Sequence, residues 1–188
     1  MDLLIQALEK ISPLPDECRD AFLSVWQYHD VPKDHTLLRE NGIGDQLFFL
    51  EKGVARIYYH KNDKEITEWI AMDRQFFLSI TSFFERTPSH LAIHTLEPSQ
   101  LYSIRQADFL RLADQFHPIE KLLRKMVTSS LILSQQRMDS IQSESAQQRY
   151  ERFLDASPGI IQRVPLSYIA SFLGVTLETL SRIRSHRH

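Results

Sequence analysis

The sequence predicts an α+β fold, with an N-terminal double-stranded β-helix of jelly-roll-like form, a long helix and a C-terminal helix-turn-helix. Three observations support this prediction. Short apolar runs separated by turn signals fill residues 31–106, as in a β-roll. Residues 108–143 contain no glycine and only Pro118, which is typical of a long helix that begins at a proline. Residues 164–184 combine apolar residues at helical spacing with a glycine at a turn.

The N-terminal segment predicts two short helices that precede the roll. Apolar residues recur at helical spacing between Leu4 and Trp26, and Pro13 and Pro15 interrupt the pattern. Because proline lacks an N–H and clashes with the preceding helical turn, we expect one helix on each side of the prolines. Within the roll, turn signals at residues 41–45, 52–53, 61–64 and 97–99 separate the expected strands, which are residues 47–50, 54–59, 66–70, 91–96 and 101–104.

The predicted long helix has apolar residues on two faces. One row has coiled-coil spacing and comprises Ile119, Leu123, Met126, Ser130 and Leu133. Other apolar residues widen the surface beyond this row, namely Leu122, Val127, Leu131, Ile132, Met138 and Ile141. We expect the roll to cover one face and a second copy of the chain to cover the row, which is then the dimer interface. The alternative is a helix buried within one subunit. The serine-rich residues 140–145 predict a hinge.

The C-terminal residues predict two helices that cross at a glycine turn. Ile169, Leu173, Leu180 and Ile183 form a shared apolar seam, and Gly174 lies where a positive φ is needed. Thr176 is the expected N-cap of the second helix. Arg182, Arg184 and Arg187 follow without an acidic residue, and a basic helix suits the major groove of DNA. The alternative is a helical hairpin that only packs on another element.

Composition is that of an ordinary globular protein. The 188 residues are 43% hydrophobic and 24% charged, with a net charge of −2. The charge is unevenly distributed, since residues 1–143 carry a net −4 and residues 144–188 a net +2. No run of about 18 apolar residues occurs, and the N-terminus lacks the basic start of a signal peptide, so we expect a cytoplasmic protein. The single cysteine, Cys18, excludes an intrachain disulfide.

In this order, the predicted elements resemble the Crp/Fnr family of bacterial transcription regulators. The most specific resemblance lies in Arg149-Tyr150, Pro158, Val164–Leu166, Ile169-Ala170, Phe172–Val175 and Glu178–Arg184. The resemblance implies a homodimer on two-fold symmetric double-stranded DNA, with RNA polymerase and a small-molecule effector as further partners. It also implies a sensor domain at residues 1–117, a dimerisation helix and hinge at 118–143 and a DNA-binding domain at 144–188. Many members continue into a winged hairpin, which does not follow Arg184 in this sequence: either the wing is absent in this subgroup, or this sequence stops short of it.

The resemblance assigns DNA contacts to Thr176, Leu177, Glu178, Ser181, Arg182, Arg184 and Arg187. Glu178 and Arg182 match the acid and the arginine that contact bases. Their chemistry agrees with this role, since Arg donates two hydrogen bonds to guanine and Glu accepts one from cytosine. The alternative for Arg182 is a surface ion pair with Glu178. Leu177 stands where the best-known members carry another arginine, so a different preferred sequence is expected.

The segment that holds the phosphate in cyclic nucleotide-binding members is degenerate in this chain. Residues 75–90 lack the expected Gly-Glu, and Pro88-Ser89 stands where an arginine is expected. A buried phosphodiester without a cation is poorly compensated, so the sequence disfavours cyclic AMP in the usual mode and predicts no other cofactor. Arg86 is a candidate substitute cation. The candidate effector pocket comprises Phe76, Phe77, Leu78, Ser79, Arg86, Ser89 and His90, and the alternative is that these residues only fill the roll.

Two other functions are alternatives to a DNA-binding regulator. A metal-dependent cupin-like enzyme would need ligands from His60, His90, His94 and Glu68. His90 and His94 are about 13 Å apart on an extended strand, so they cannot both bind one metal without a sharp bend. No catalytic triad or P-loop pattern occurs, and we expect no metal and no enzymatic activity. The other alternative keeps the fold as a cyclic nucleotide-binding sensor or interaction module that does not bind DNA.

Overall fold

The computed structural model describes residues 1–185, which form eight strands and nine helices. The strands are β1 Gln27–Val31, β2 Thr36–Leu38, β3 Gln46–Lys52, β4 Val54–Lys61, β5 Lys64–Met72, β6 Gln75–Phe77, β7 Ala92–Thr95 and β8 Ser99–Arg105. The helices are α1 Asp2–Ile11, α2 Asp16–Leu23, α3 Ile80–Glu85, α4 Gln106–Gln115, α5 His117–Ser143, α6 Ala146–Ala156, α7 Ile160–Arg163, α8 Leu166–Leu173 and α9 Leu177–Ser185. No helix within these residues is long and apolar enough to cross a membrane.

The strands form two four-stranded antiparallel sheets, which confirms the predicted roll. One sheet has the order β1-β8-β3-β6 and the other β2-β7-β4-β5. Leu50 and Leu101 of the first sheet and Ile57 and Ile93 of the second are buried in one cluster between them. Five of the strands were predicted from the sequence, namely β3, β4, β5, β7 and β8. The other three, β1, β2 and β6, were not predicted because they lack a clear apolar run of four or more residues.

The outer face of the first sheet is covered by helices, as expected for an amphipathic N-terminal segment. Phe22 of α2 and Phe109 of α4 are buried against Phe49 of β3, and the rings of Phe22 and Phe109 lie 5.1 Å apart. Ile119 and Leu122 at the start of α5 are fully buried in the same cluster. The N-terminal part of α5 is therefore part of the roll's own core.

This burial corrects the predicted dimer row on α5. Ile119 is 0% exposed in its own subunit and cannot contact a partner, and Leu123 and Met126 are partly buried against the same cluster. Further along the row, Arg137 lies over the ring of Phe172. Leu133, the last residue of the predicted row, is 49% exposed and stays a candidate. The row that is exposed along its whole length is the adjacent one, with spacings of four and three residues: Val127, Leu131, Ser134, Met138 and Ile141. Both rows have coiled-coil spacing, so sequence periodicity alone could not choose between them.

The predicted hinge at residues 140–145 is also mostly helical. α5 continues through Ser143, and the Ser140 hydroxyl donates to Glu144 Oε2 at 2.7 Å. Ser145 then begins α6 with a capping box, in which its hydroxyl accepts from the Gln148 N–H. Only Glu144 and Ser145 lie between the two helices. Ser143 and Ser145 mark helix ends here because their side chains bond backbone groups of the adjoining turns, the Asp139 carbonyl and the Gln148 N–H.

The C-terminal helices pack directly on the second sheet. Val54, Ile70 and Leu96 of the roll share one buried cluster with residues of α6 to α9, namely Tyr150, Ile160, Val164, Ile169, Ala170, Leu173 and Leu180. α8 lies along β5, the edge strand of its sheet. The exposed polar groups of an edge strand are thereby covered by a helix.

Candidate functional site

The helix-turn-helix arrangement predicted at the C-terminus is formed by α8 and α9. α8 ends at Gly174, which has a φ of 69°, and the Val175 N–H donates to the Ala170 carbonyl at 3.0 Å. This bond pattern is a Schellman-type end that favours glycine. The Thr176 hydroxyl accepts from the Thr179 N–H at 3.2 Å, as an N-cap does. Leu180 is fully buried and fixes α9 against α8.

The candidate DNA contacts within the described residues all lie on the solvent side of α9 and its preceding turn. The exposed residues are Thr176, Leu177, Glu178, Ser181, Arg182 and Arg184. At about 100° per residue, those on the helix project within an arc of roughly 160°, and the buried Leu180 lies outside it. Arg187, the seventh candidate, lies outside the described residues. The structure therefore brings six of the candidates to one surface.

Glu178 is held in its charged form at the start of this surface. Hydrogen bonds from its own backbone N–H and from the Thr176 hydroxyl lower the pKa of its carboxyl group, and the charge of Arg182 lowers it further. A carboxylate at this position is an acceptor at neutral pH, and the N-terminal turn of a helix favours its negative charge. The face thus offers one anionic acceptor beside cationic donors.

The segment expected to cradle a phosphate is closed by its own side chains. The hydroxyls of Ser79 and Ser89, both buried, lie 2.8 Å apart, and Ser89 also bonds the backbone of Leu91. The Ser82 hydroxyl accepts from the Gly44 N–H at 2.7 Å and donates to the Thr87 carbonyl. The void beside this network has a volume of about 20 Å³. That volume suits one water molecule, whereas ligand pockets measure about 300 to 1,000 Å³.

The candidate effector-pocket residues do not all face the same side of the roll, and the pocket stays a prediction. Phe76 and Phe77 point to opposite faces of β6, one toward Phe49 and the other stacked on Phe48. Leu78 is partly buried in the Phe76 cluster. Side chains of successive strand residues point to opposite faces of a sheet, so Phe76 and Phe77 cannot line one cavity.

The charged members of that set also face away from the roll interior. Arg86 is exposed, and its guanidinium lies 3.8 Å from Asp45 at the surface. His90 is exposed beside Glu68, at 3.7 Å. Neither side chain has a contact with the Ser79–Ser89 pair within the described residues, and Arg86 as a substitute phosphate ligand stays a prediction.

The histidines of the roll have separate partners. His60 Nδ1 lies 2.6 Å from Glu40, and the ring of His94 packs edge-on against Tyr58. Within the described part of the chain, no three His, Cys, Asp or Glu side chains are close enough together to hold a metal ion.

Three arginines that the sequence analysis did not single out attach the C-terminal helices to the roll. The first is Arg163 at the end of α7. It donates to Asp73 at 2.7 and 3.0 Å, to Glu97 at 2.6 Å and to the Gly53 carbonyl at 3.0 Å. Burial alone would raise the pKa of Asp73, but hydrogen bonds from Arg163 and from the Gly53 N–H outweigh it and lower that pKa.

Gly53 allows this network to form. Its φ is 132°, and a Cβ at this position would lie 2.2 Å from the Ser99 hydroxyl oxygen. Only glycine can therefore place its N–H on Asp73 and its carbonyl toward Arg163 at once.

The second arginine, Arg56 of β4, is fully buried although it lies in a strand of the roll. Its guanidinium bonds Thr67 at 2.9 Å and forms an ion pair with Glu65. The same group lies between the rings of Tyr58 and Tyr168, at 4.4 and 3.6 Å from their centres. Tyr168 belongs to α8, so this buried cation connects the sheet to the first helix of the helix-turn-helix.

The third arginine, Arg137, connects α5 to the C-terminal end of α8. It donates to the Phe172 carbonyl at 3.1 Å and lies 4.1 Å from the centre of the Phe172 ring. Burial lowers the pKa of its guanidinium. No local pattern in the sequence indicates these contacts, since Arg56 stands at an alternating strand position that predicts exposure and Arg163 is 90 residues from Asp73.

Comparisons with known proteins agree with this architecture. Residues 28–116 match the family model described as the cyclic nucleotide-binding domain. A comparison with curated protein sequences finds no match. FixK2 from Bradyrhizobium japonicum has a similar structure, with a TM-score of 0.73 and 20% identity over 86% of this chain and 84% of that chain.

Two further structures are similar over most of the chain. The c-di-GMP-responsive global regulator CLP of Xanthomonas campestris has a TM-score of 0.70 and 14% identity, covering 92% of this chain and 91% of that one. A protein from Eubacterium rectale, named for the crp/fnr family of transcriptional regulators, has a TM-score of 0.68 and 17% identity, covering 92% and 83%. Residues 28–116 therefore match the cyclic nucleotide-binding domain model, and the described part of the chain has the fold of these solved structures.

Proposed function

We propose that this protein is a sequence-specific DNA-binding transcription regulator that acts as a homodimer. The observation that carries the proposal is the exposed face of α9, where Glu178, Ser181 and Arg182 project together above a buried Leu180. A helix with one packed face and one face of base-reading side chains fits the major groove. Arg182 pairs with guanine in this proposal, and Arg184 contacts a phosphate. We infer a binding protein without catalytic activity, with RNA polymerase as the partner at promoters.

The second copy covers the exposed row of α5. Leu131 and Ile141 of that row are 65% and 52% exposed, unusual values for large apolar side chains on a helix of coiled-coil spacing. Burying the row against its equivalent in a partner gives a two-fold symmetric dimer. Two recognition helices related by that axis then match two half-sites of a symmetric operator.

In this proposal, the roll does not bind cyclic nucleotides through the phosphate-binding segment that other members use. The buried hydroxyls of Ser79 and Ser89 bond each other, and Arg86, the candidate substitute cation, lies at the surface beside Asp45, which supports this proposal. We infer instead that any effector acts by moving β4 and β5, since Arg56 couples these strands to Tyr168 of α8. A ligand that favours one position of α8 shifts the population in which α9 is correctly placed.

In vitro selection from a random duplex library tests the DNA-binding proposal. The purified full chain is expected to enrich a two-fold symmetric motif with half-sites about one helical turn apart, roughly 34–36 Å. Recovery of no motif over successive rounds, by a protein shown to be folded, would contradict the proposal and favour an interaction module that does not bind DNA.

A further inference from the structure

The direction of α8 fixes which end of the β4–β5 hairpin lies near α9. Arg163, which precedes α8, binds Asp73 just beyond the C-terminal end of β5. Ser171 near the other end of α8 accepts from the Thr67 N–H at 2.9 Å and lies 3.5 Å from the Glu65 carbonyl. α8 therefore runs antiparallel to β5. The hairpin tip beyond Glu65 and the turn that leads into α9 lie at the same end of this interface.

The tip itself is a tight and well-defined turn. Asn62 and Asp63 have φ values of 50° and 59°, and Lys61 pairs with Lys64 across the hairpin. Positive φ at both central residues is the pattern of a type I′ turn, whose twist matches that of the flanking strands. The two lysines are therefore presented from a defined hairpin end.

Lys61 and Lys64 are like charges placed directly opposite each other. Opposed residues on one face of an antiparallel pair have Cβ atoms about 5 Å apart, where like charges are destabilising. Both lysines are exposed, and within residues 1–185 no carboxylate lies at ion-pair distance from either. Asp63 lies between them in the turn, and Glu65 is already paired with Arg56. Among the described residues, the pair therefore has no carboxylate at ion-pair distance.

We propose that the tip of the β4–β5 hairpin contacts the DNA backbone beside α9, with Lys61 and Lys64 each neutralising a phosphate. This inference rests on the proposed DNA binding. The exposed face of α9 carries only two described arginines, Arg182 and Arg184, and the chain has a net charge of −2. Phosphate contacts supply much of the affinity of a DNA-binding protein, and lysine on an exposed turn serves as a point charge for them. The roll thereby contributes to DNA binding directly as well as by holding α8.

The test compares the salt dependence of DNA binding for wild type and the double variant Lys61→Gln/Lys64→Gln. The probes are a duplex of about 30 base pairs recovered by selection with the wild type, which accommodates two half-sites, and a scrambled duplex of the same length. Fluorescence anisotropy from about 50 to 200 mM salt gives the slope of log K against log salt. The matched control is Lys10→Gln/Lys121→Gln, which removes two exposed lysines from α1 and the N-terminal half of α5.

The expected result is a slope smaller in magnitude by about 0.9 for each phosphate that the variant no longer neutralises. Affinity falls for both duplexes, while the ratio between selected and scrambled duplex stays the same and the control keeps the wild-type slope. The thermal midpoint of the double variant does not fall, because the removed charges repel each other. If the wild type binds DNA and the double variant has the same slope of log K against log salt, this inference alone is overturned. Failure of the wild type to bind either duplex overturns the proposed function and this inference together.

Discussion

The guanidinium carbon of Arg56 in β4 lies 3.6 Å from the centre of the Tyr168 ring in α8. Arg56 is fully buried, and its guanidinium carbon also lies 4.4 Å from the centre of the Tyr58 ring. The buried cation thus contacts two aromatic rings, the Thr67 hydroxyl and the Glu65 carboxylate, and such partners are the condition for burying a charge. The roll and the helix-turn-helix are therefore joined by a specific polar contact in addition to their shared apolar cluster.

This contact predicts a measurable coupling between Arg56 and Tyr168. In a double-mutant cycle with Arg56→Met and Tyr168→Leu, we expect a coupling free energy of about 1 to 2 kcal/mol, because the cation–ring contact is desolvated. Urea unfolding of the four proteins measures it. Additive effects of the two substitutions would contradict a direct contact between the strand and α8.

Arg163 predicts a larger loss of stability than other arginines of the C-terminal helices. Arg163→Gln removes hydrogen bonds to two carboxylates, so we expect the free energy of unfolding to fall by about 1 to 3 kcal/mol after allowance for the partial exposure of Asp73. Arg152→Gln is the control, since Arg152 forms only one half-exposed ion pair with Glu144. Equal stability of the two variants in urea would show that the Arg163 network does not hold the helices to the roll.

His94 predicts that stability falls in mild acid. Burial lowers the pKa of His94, and the nearby charge of Arg56 lowers it further, so the folded state favours the neutral ring. The neutral His94 ring therefore contributes to the free energy of unfolding above the unfolded-state pKa of about 6.5, and this contribution is lost as the pH falls below that value. His94→Gln should reduce the loss of stability between pH 7.5 and about 5, relative to wild type. An equal loss of stability in wild type and His94→Gln over this pH range would contradict the role of His94.

Charges placed on α5 distinguish the two rows that have coiled-coil spacing. Leu131→Asp, on the exposed row, is expected to convert a dimer of twice the 22.0 kDa chain mass into monomers, because two unpaired carboxylates would face each other across the axis. Leu133→Asp, at a residue 49% exposed but off that row, is expected to leave the dimer intact. Light scattering after size exclusion measures the mass. Dissociation by Leu133→Asp alone would restore the row that contains Ile119.

The hydrogen bonds within residues 75–90 predict that cyclic AMP and cyclic GMP do not bind at micromolar concentrations. A phosphodiester entering the roll would have to displace the hydrogen-bonded Ser79 and Ser89 without gaining a buried cation. Isothermal titration calorimetry of the full chain with each nucleotide should give only heats of dilution. Saturable heat at micromolar affinity would contradict this prediction and would mean that residues 75–90 rearrange and supply other phosphate ligands.

The sequence predicted the elements whose signals are local. Gly174 and Thr176 indicated the turn and the N-cap of α9 because both act on backbone groups only a few residues away. The exposed row of α5 was not predictable, because a helix with apolar residues on two faces does not indicate which face its own roll covers. Ile119 and Val127 differ in burial only through packing distant in sequence.

The contacts between the roll and α8 were missed for a related reason. Arg163 and Asp73 are 90 residues apart in the chain, and nothing near either residue indicates the other. Arg56 lies in the run Val54-Ala55-Arg56-Ile57, where alternation predicts a solvent-facing side chain. The structure buries it because α8 covers the edge strand beside it.

Whether α9 reads the DNA sequence through Arg182 can be measured directly. The experiment compares the binding of wild type and Arg182→Ala to a selected duplex and to its single-base variants. We predict that Arg182→Ala loses discrimination at one guanine per half-site by about 5- to 150-fold, the equivalent of the roughly 1–3 kcal/mol that a bidentate contact contributes. Arg184→Ala should weaken binding to all duplexes alike. If Arg182→Ala discriminates between bases at every position as well as the wild type does, α9 does not read the sequence through Arg182, and the proposed role of this residue is contradicted.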